Sequence, residues 1–435
     1  MTDPQQIIRI TDLAKPRLSP AAEDALKAAE SRAVELTVDS VLTTATRLSG
    51  LLDFGPGDFR RRLAVLLSEV ENHPRNTAFG RAHYFDLMVD TAVARLRMIN
   101  LFARHPEIHE TKIVRPIFIV GMPRSGTTDL VNSLGSDSRF RTMPNWERMV
   151  VPDDPSNPTD PHAEDPRLTR ARTQFEADRR LLPYRELMHP TNPYFLDEAP
   201  TDALDFPLST WEGRPLAWER EMLHWRSDVP LWLEHDLASR VTPQYSWSKW
   251  GIQVLQWYRP AARFAGKATG MMGDVGAILQ QFPDATIVFT HRDPIAILQS
   301  SATMICYRAR LYYRSIDPAW YLEFYKGLIH DLLKAYLKNR AVVPEGQGLD
   351  ILFHERIANP IGHLEKIYDL AGFPLTTQAR REIATAGKSR ARGFVPWNEG
   401  RVVYNLREDF SVDQNEIRRE FSYYYDAVSV QPEVF

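Results

Sequence analysis

Apolar residues recur at three- and four-residue steps through residues 21–110, as in HYFDLMVDTAVARLRMINLFARHPEI. This spacing places the apolar side chains on one face of an α-helix. The same stretch lacks the alternation that is typical of a strand. We therefore predict an N-terminal helical region over residues 1–111.

From residue 112 onward, short apolar runs alternate with helical patterns. The runs RPIFIVG, ATIVFTHRD and LDILFHER have the length and composition of buried strands, and helical segments such as GDVGAILQQF and PIGHLEKIYDLAGF lie between or after them. Strand–helix alternation favours a parallel sheet flanked by helices. We predict an α/β domain over residues 112–435. A long helical insertion at about 150–262, opening with the loop VVPDDPSNPTDPHAEDP, is predicted to form the acceptor side or a lid.

Composition narrows the class of protein. Lys and Arg number 53 and Asp and Glu 56, a formal net charge of -3 without a block of like charge, so nucleic acid and anionic membrane are poor candidate partners. The single cysteine, Cys306, cannot form an internal disulfide. The first twenty residues lack a signal-peptide pattern, and no run has the apolar length of a membrane span. We expect a soluble cytoplasmic protein, and the oligomeric state stays open.

A glycine-rich turn, GMPRSGTT at residues 121–128, joins the first apolar run to its helix. Such a turn points backbone N–H groups and the positive end of the helix dipole at an anion. Its G-x-x-x-x-G-T-T frame matches a P-loop, but Thr127 stands where nucleotide triphosphatases carry a lysine. Arg124 is the cation of this turn. We therefore expect a ligand that needs less charge neutralisation than a triphosphate, and no metal requirement.

A second candidate anion site follows a later strand. The run IVFTHRDP ends at His291 and Arg292, where a magnesium-binding loop would carry a carboxylate, although Asp293 lies close by. Open α/β sheets bind ligands at the carboxyl ends of their strands. Ser300 follows Arg292 by eight residues, in the next predicted helix. Two separate anion sites indicate a ligand such as a nucleotide that is phosphorylated at two distant positions.

The segments PRSGTT and HRDPIAILQS, in this order and strand context, resemble the donor-binding motifs of sulfotransferases that use 3′-phosphoadenosine 5′-phosphosulfate (PAPS). The resemblance covers roughly residues 112–427 and is closest to the bacterial branch related to tyrosylprotein-type sulfotransferases. It implies a PAPS-dependent enzyme of P-loop-type fold that releases adenosine 3′,5′-bisphosphate (PAP). It also implies that Arg292 and Ser300 hold the 3′-phosphate, and that the 5′-phosphosulfate is held by Arg124, Ser125, Gly126, Thr127 and Thr128.

Three residues are candidates for the base that takes the acceptor proton. Glu147 in MPNWERM lies at about the interval at which related branches of the family place a catalytic glutamate, and Glu198 in YFLDEAP matches another acidic position. His189 in LMHPTNP carries an imidazole, which suits proton transfer near neutral pH. A surface glutamate paired with Arg148 and an incidental loop histidine are the structural alternatives.

Lys267 lies sixteen residues before Pro283, the spacing of the family's strand-end lysine. The resemblance implies that it stabilises charge on the bridging oxygen of the donor. The sequence departs from the family pattern after this lysine, because Ala268, Thr269, Gly270 and Met271 replace the usual proline and histidine. A sulfotransferase-fold protein that binds a nucleotide without catalysis is therefore an alternative. A phosphotransferase with a degenerate P-loop is a second one, against which Thr127 counts.

Seven of the ten tryptophans lie between Trp211 and Trp257, and four of them repeat every seven residues, at positions 211, 218, 225 and 232. Aromatic rings at helical spacing are often part of a core. The functional alternative is an acceptor pocket walled by some of these rings, with Tyr184, Tyr194 and Phe195. Such a pocket predicts a small apolar or aromatic alcohol or phenol as the acceptor.

Overall fold

The computed structural model describes residues 7–56, 59–147, 151, 165–189, 242–393 and 401–433. The N-terminal part is helical, as predicted. Threonine or serine side chains cap the starts of three of its helices by accepting backbone N–H bonds, which satisfies donors that a helix start leaves unpaired. The helices are α1 (Pro20–Glu30), α2 (Val38–Ser49), α3 (Phe59–Asn72) and α4 (Ala78–Arg104).

A five-stranded parallel sheet forms the centre of the α/β part, which confirms the predicted fold class. The strands are β2 (Ile117–Gly121), β3 (Phe140–Arg141), β4 (Arg263–Thr269), β5 (Thr286–His291) and β6 (Gly348–Leu352). Their order in the sheet is β3-β4-β2-β5-β6. The two-residue β3 carries too short a pattern to be predicted, and β4 was inferred only through the resemblance at Lys267.

Helices cover both faces of this sheet. They are α5 (Thr127–Gly135), α6 (Pro166–Leu181), α7 (Arg185–Met188), α8 (Thr242–Tyr258), α9 (Val275–Gln281), α10 (Pro294–Ala309), α11 (Pro318–Asn339), α12 (Phe353–Ala358), α13 (Pro360–Leu370), α14 (Thr377–Gly393), α15 (Leu406–Phe410), α16 (Gln414–Glu420) and α17 (Ser422–Val428). The short strands β1 (Ile7–Ile8) and β7 (Arg401–Val402) pair in parallel and join the two ends of the described chain.

Alternate residues of the sheet enter two hydrophobic clusters, as the two-residue period of a strand requires. Phe118 and Val120 of β2 belong to a large cluster that also contains Leu96 of α4. The N-terminal helices and one face of the sheet therefore share a core. Ile117 and Ile119 belong to a second cluster, with Leu130 of α5. No helix in the described ranges is long and apolar enough to cross a membrane.

Candidate active site

The turn after β2 has the backbone of an anion cradle. Arg124 and Gly126 both adopt left-handed conformations, with φ of 67° and 89°, and α5 begins at Thr127. Left-handed residues next to a helix start make neighbouring N–H groups converge, and those groups have no partner within the helix. A Cβ at position 126 would lie 2.6 Å from Nη2 of Arg356, so a larger residue here would have to displace that guanidinium. The sequence motif thus folds into the cradle that it predicts.

Strand β5 holds the turn in place. The Ser125 hydroxyl donates to the carbonyl of Met122 at 2.6 Å, and it lies 2.6 Å from Oγ1 of Thr290 on β5. A Cβ on Gly121 would collide with that threonine hydroxyl. Ser125 is buried, so its side chain fixes the shape of the turn and faces the protein interior. The turn is thus attached to β5 through Ser125 and Thr290.

The two predicted anion sites meet in space. Arg124 donates from Nε to the hydroxyl of Ser300 on α10 at 2.9 Å. Arg292, at the carboxyl end of β5, donates from Nη1 to the carbonyl oxygen of Arg124 at 2.8 Å. Residues 124, 292 and 300 are therefore direct neighbours, although up to 176 residues separate them in the chain.

Arg292 has two further neighbours that the sequence did not reveal. Its Nε and Nη2 donate to the two carboxylate oxygens of Glu433, at 2.7 and 2.8 Å. Its guanidinium carbon lies 4.2 Å from the centre of the Phe353 ring. Glu433 lies 141 residues away, in a segment without a recognisable motif. Only the fold brings it to the site.

A further cation, Arg356, lies beside the cradle and was not predicted from the sequence. It is buried, lies next to Gly126, and forms an ion pair with Asp129 in the first turn of α5. The run LDILFHER was assigned to a strand, and its pattern does not mark Arg356 as a binding residue. The position of Arg356 places an additional positive charge beside the cradle.

Lys267 lies on β4 and is paired in register with Ile119 of β2. Because strand side chains alternate, it projects from the same face as Ala265, which packs into the cluster with α5. Residues 268–271, which differ from the family pattern, have a structural role. Gly270 adopts a φ of 79°, and its N–H donates to the carbonyl of Gly121 at 2.8 Å. The loop after β4 is thereby attached to the start of the cradle.

His189 ends α7, and its N–H donates to the carbonyl of Arg185 at 2.9 Å. Helix α7 packs against α10, the helix that carries Ser300. Burial lowers the pKa of His189 well below its usual range, and the positive charges of Arg124 and Lys267 lower it further. The imidazole is therefore neutral at neutral pH and sits within the electrostatic field of both site cations.

Glu147 is buried rather than exposed, so the surface alternative is wrong for this residue. Its carboxylate accepts a hydrogen bond from Arg141 at 2.7 Å and forms an ion pair with Arg259. A third guanidinium, that of Arg167, lies 3.5 Å away. Three arginines thus surround this carboxylate. The prediction that Glu147 is the base remains untested by this geometry, but its surroundings are those of a structural ion-pair network.

His291 does not enter the cradle. Its Nδ1 lies 2.7 Å from the Tyr424 hydroxyl, and its Nε2 lies 3.0 Å from Oδ1 of Asp350 on β6. Burial raises the pKa of Asp350, but hydrogen bonds from His291, Tyr336 and Arg340 outweigh this and lower it to about 2. His291 thus fixes the end of β5, from which Arg292 extends.

Three of the predicted acceptor-side tryptophans lie on one described helix, α8. Trp247, Trp250 and Trp257 lie on α8, where Trp247 is buried against Arg95 and Trp250 contacts Phe102 of α4. Trp247 belongs to the large hydrophobic cluster, and Trp250 and Trp257 are partly buried against it. The candidate base Glu198 lies outside the described residues, as do six of the residues predicted to wall the acceptor pocket, Tyr194, Phe195, Trp211, Trp218, Trp225 and Trp232.

Comparison with known proteins agrees with this architecture. The model of the sulfotransferase family matches residues 116–377, more than half of the chain. A search of curated proteins gives no match.

Solved structures show a similar fold. A sulfotransferase from Mycobacterium avium matches with a TM-score of 0.77 and 21% identity, covering 93% of this chain and 100% of its own. A sulfotransferase from Mycobacterium tuberculosis H37Rv matches with a TM-score of 0.71 and 22% identity, covering 89% and 98%. At these identities the likeness concerns the fold alone.

Proposed function

The chain belongs to the sulfotransferase family, and on that premise we propose that it transfers a sulfuryl group from PAPS to a hydroxyl or amine of a small apolar or aromatic acceptor. The transfer is an in-line displacement, in which the acceptor attacks sulfur and PAP leaves. The reaction requires a base for the acceptor proton and positive charge at the bridging oxygen.

The observation that carries this proposal is the contact between the two anion sites. Arg124 of the cradle bonds to Ser300, and Arg292 bonds to the backbone of Arg124. A nucleotide with phosphate groups at two positions needs two such sites on one surface. A triphosphate would instead need its positive charges along one line beyond the cradle, where a P-loop lysine stands.

The chain's donors fit the proposed ligand. The cradle offers backbone N–H groups at the start of α5, together with the hydroxyls of Thr127 and Thr128 and the charge of Arg124. Arg292 and Ser300 would hold the 3′-phosphate. PAPS supplies the activated sulfuryl group; the protein supplies binding, orientation and proton transfer.

We assign the base to His189 among the three candidates. A base must accept a proton at the working pH, and His189 is neutral and beside two site cations. Glu147 is instead enclosed by three guanidinium groups, those of Arg141, Arg167 and Arg259, and its carboxylate belongs to that ion-pair network. Lys267, on the strand adjacent to β2, would stabilise charge on the leaving oxygen.

Ligand-induced thermal stabilisation tests the donor. PAP without magnesium should raise the unfolding midpoint by a few degrees at saturating concentration, because a ligand that binds only the folded state adds about 2.7 kcal/mol at one hundred times its Kd. ATP with magnesium should raise it less, and EDTA should leave the PAP effect unchanged. Stabilisation by ATP and magnesium alone would identify a phosphotransferase instead. PAP binding without turnover of labelled PAPS would identify a binding protein.

The acceptor is tested with a panel of compounds. Tyr184, next to α7, exposes 41% of its surface and packs against Tyr307, so an aromatic side chain is available near His189. With labelled PAPS, phenols and steroid-like or lipid-like alcohols should accept the label, and saccharides and tyrosine peptides should not. Sulfation confined to saccharides or acidic peptides would contradict the apolar acceptor.

A further inference from the structure

Glu433 occupies the part of Arg292 that a phosphate would use. A guanidinium offers five N–H bonds, and two of its edges can hold a phosphate through a pair of bonds. Glu433 takes the Nε and Nη2 edge with both carboxylate oxygens, at 2.7 and 2.8 Å. The carbonyl of Arg124 accepts a hydrogen bond from Nη1. The Nε and Nη2 edge is therefore fully occupied by Glu433 in the free protein.

The segment around Glu433 is held in this position by residues beside Arg292. The Glu433 N–H donates to Oδ2 of Asp293 at 2.6 Å, and Nη2 of Arg418 donates to the Glu433 carbonyl at 3.1 Å. Asp293 also accepts from the Tyr425 hydroxyl and caps α10. The placement of the carboxylate is therefore specified by main-chain contacts as well as by its own charge.

The described end of this segment contributes little to the hydrophobic core. Val430 is buried and anchors it, whereas residues 431–433 are exposed or half-buried. Release of Glu433 breaks the ion pair with Arg292 and the two main-chain hydrogen bonds. Within the part of the chain that the structure describes, residues 431–433 belong to neither hydrophobic cluster.

We propose that Glu433 is a tethered competitor for the 3′-phosphate, bound to Arg292 in the free protein and displaced when the nucleotide binds; this rests on the proposed function. A phosphate monoester carries more negative charge than a carboxylate and can take both edges of Arg292. The competition lowers the affinity for every nucleotide with a 3′-phosphate, the product included. Glu433 thus promotes product release at the expense of donor affinity.

Calorimetric titration of Glu433→Gln with PAP and with adenosine 5′-monophosphate tests the proposal. The variant should bind PAP roughly five- to tenfold more tightly than the unaltered protein, the range expected for loss of a partly buried bidentate competitor. Affinity for the 5′-monophosphate should not change, because that nucleotide carries no 3′-phosphate to compete with Glu433. Glu416→Gln, an exposed glutamate of α16, carries the same charge change and should leave both affinities unchanged.

A double-mutant cycle separates direct competition from a general loss of negative charge. With Arg292→Ala already present, Glu433→Gln should no longer alter PAP affinity. An equal gain in that background would overturn the proposal, as would unchanged or weaker PAP binding by the single variant. If the unaltered protein does not bind PAP at all, the donor assignment fails instead, so the two failures are distinguishable.

Discussion

Replacing Arg292 with alanine should weaken PAP binding by about 2 kcal/mol or more, roughly thirtyfold, because a charge-assisted bidentate contact to phosphate is lost. Binding of adenosine 5′-monophosphate should change little. Isothermal titration of both nucleotides measures the effect.

Arg419→Ala is the matched control, since this exposed arginine of α16 bonds to the carbonyl of Asn415. It should leave both affinities unchanged. Equal weakening of the two nucleotides by Arg292→Ala would show that Arg292 acts by supporting the Arg124 backbone, to which it also bonds.

Substituting His189 with asparagine should lower turnover by about 10²- to 10⁴-fold, the usual contribution of a general base, while PAP affinity stays nearly intact. Single-turnover measurements with labelled PAPS give the rate. His105→Asn, at the end of α4 in the N-terminal helical region, is the control and should retain activity.

The pH profile supplies an independent readout of His189. Its pKa is lowered by burial and by the neighbouring cations, so the neutral form persists as the pH falls below the usual histidine range. We expect the acid limb of kcat/KM to lie below that range and to disappear in the asparagine variant. Retained turnover in His189→Asn would transfer the role to Glu147 or Glu198.

Glu147→Gln distinguishes a base from a structural carboxylate. Loss of this buried charge leaves Arg141 with an uncompensated positive charge, which should cost about 3 kcal/mol in the free energy of unfolding. Turnover per folded molecule should persist. Lost turnover at unchanged stability would restore Glu147 as the base.

The parts of the site that the sequence revealed are those coded by short contiguous patterns. The cradle is one strand, one turn and one helix start, so its residues and their order suffice to predict it. Arg292 was found for the same reason, because the carboxyl ends of parallel strands share one edge of the sheet. Local rules of this kind need no knowledge of long-range packing.

The remaining neighbours depend on tertiary structure. Asp129 and Arg356 pair across 227 residues, and neither position carries a pattern that names the other. The sequence also assigned Ser125 to the ligand, whereas its hydroxyl bonds to Thr290 within the protein. The direction of the Ser125 side chain follows from the left-handed conformations of Arg124 and Gly126. A sequence motif does not encode those conformations.

The left-handed backbone conformation of Arg124 lowers the stability of the folded protein. A residue with a Cβ in this conformation costs on the order of 1 kcal/mol that glycine would avoid. Contacts from Arg292 and Ser300 hold it there. Selection for stability alone would favour glycine at position 124. Under the proposed function, the lower stability at this position is the consequence of placing a guanidinium at the cradle.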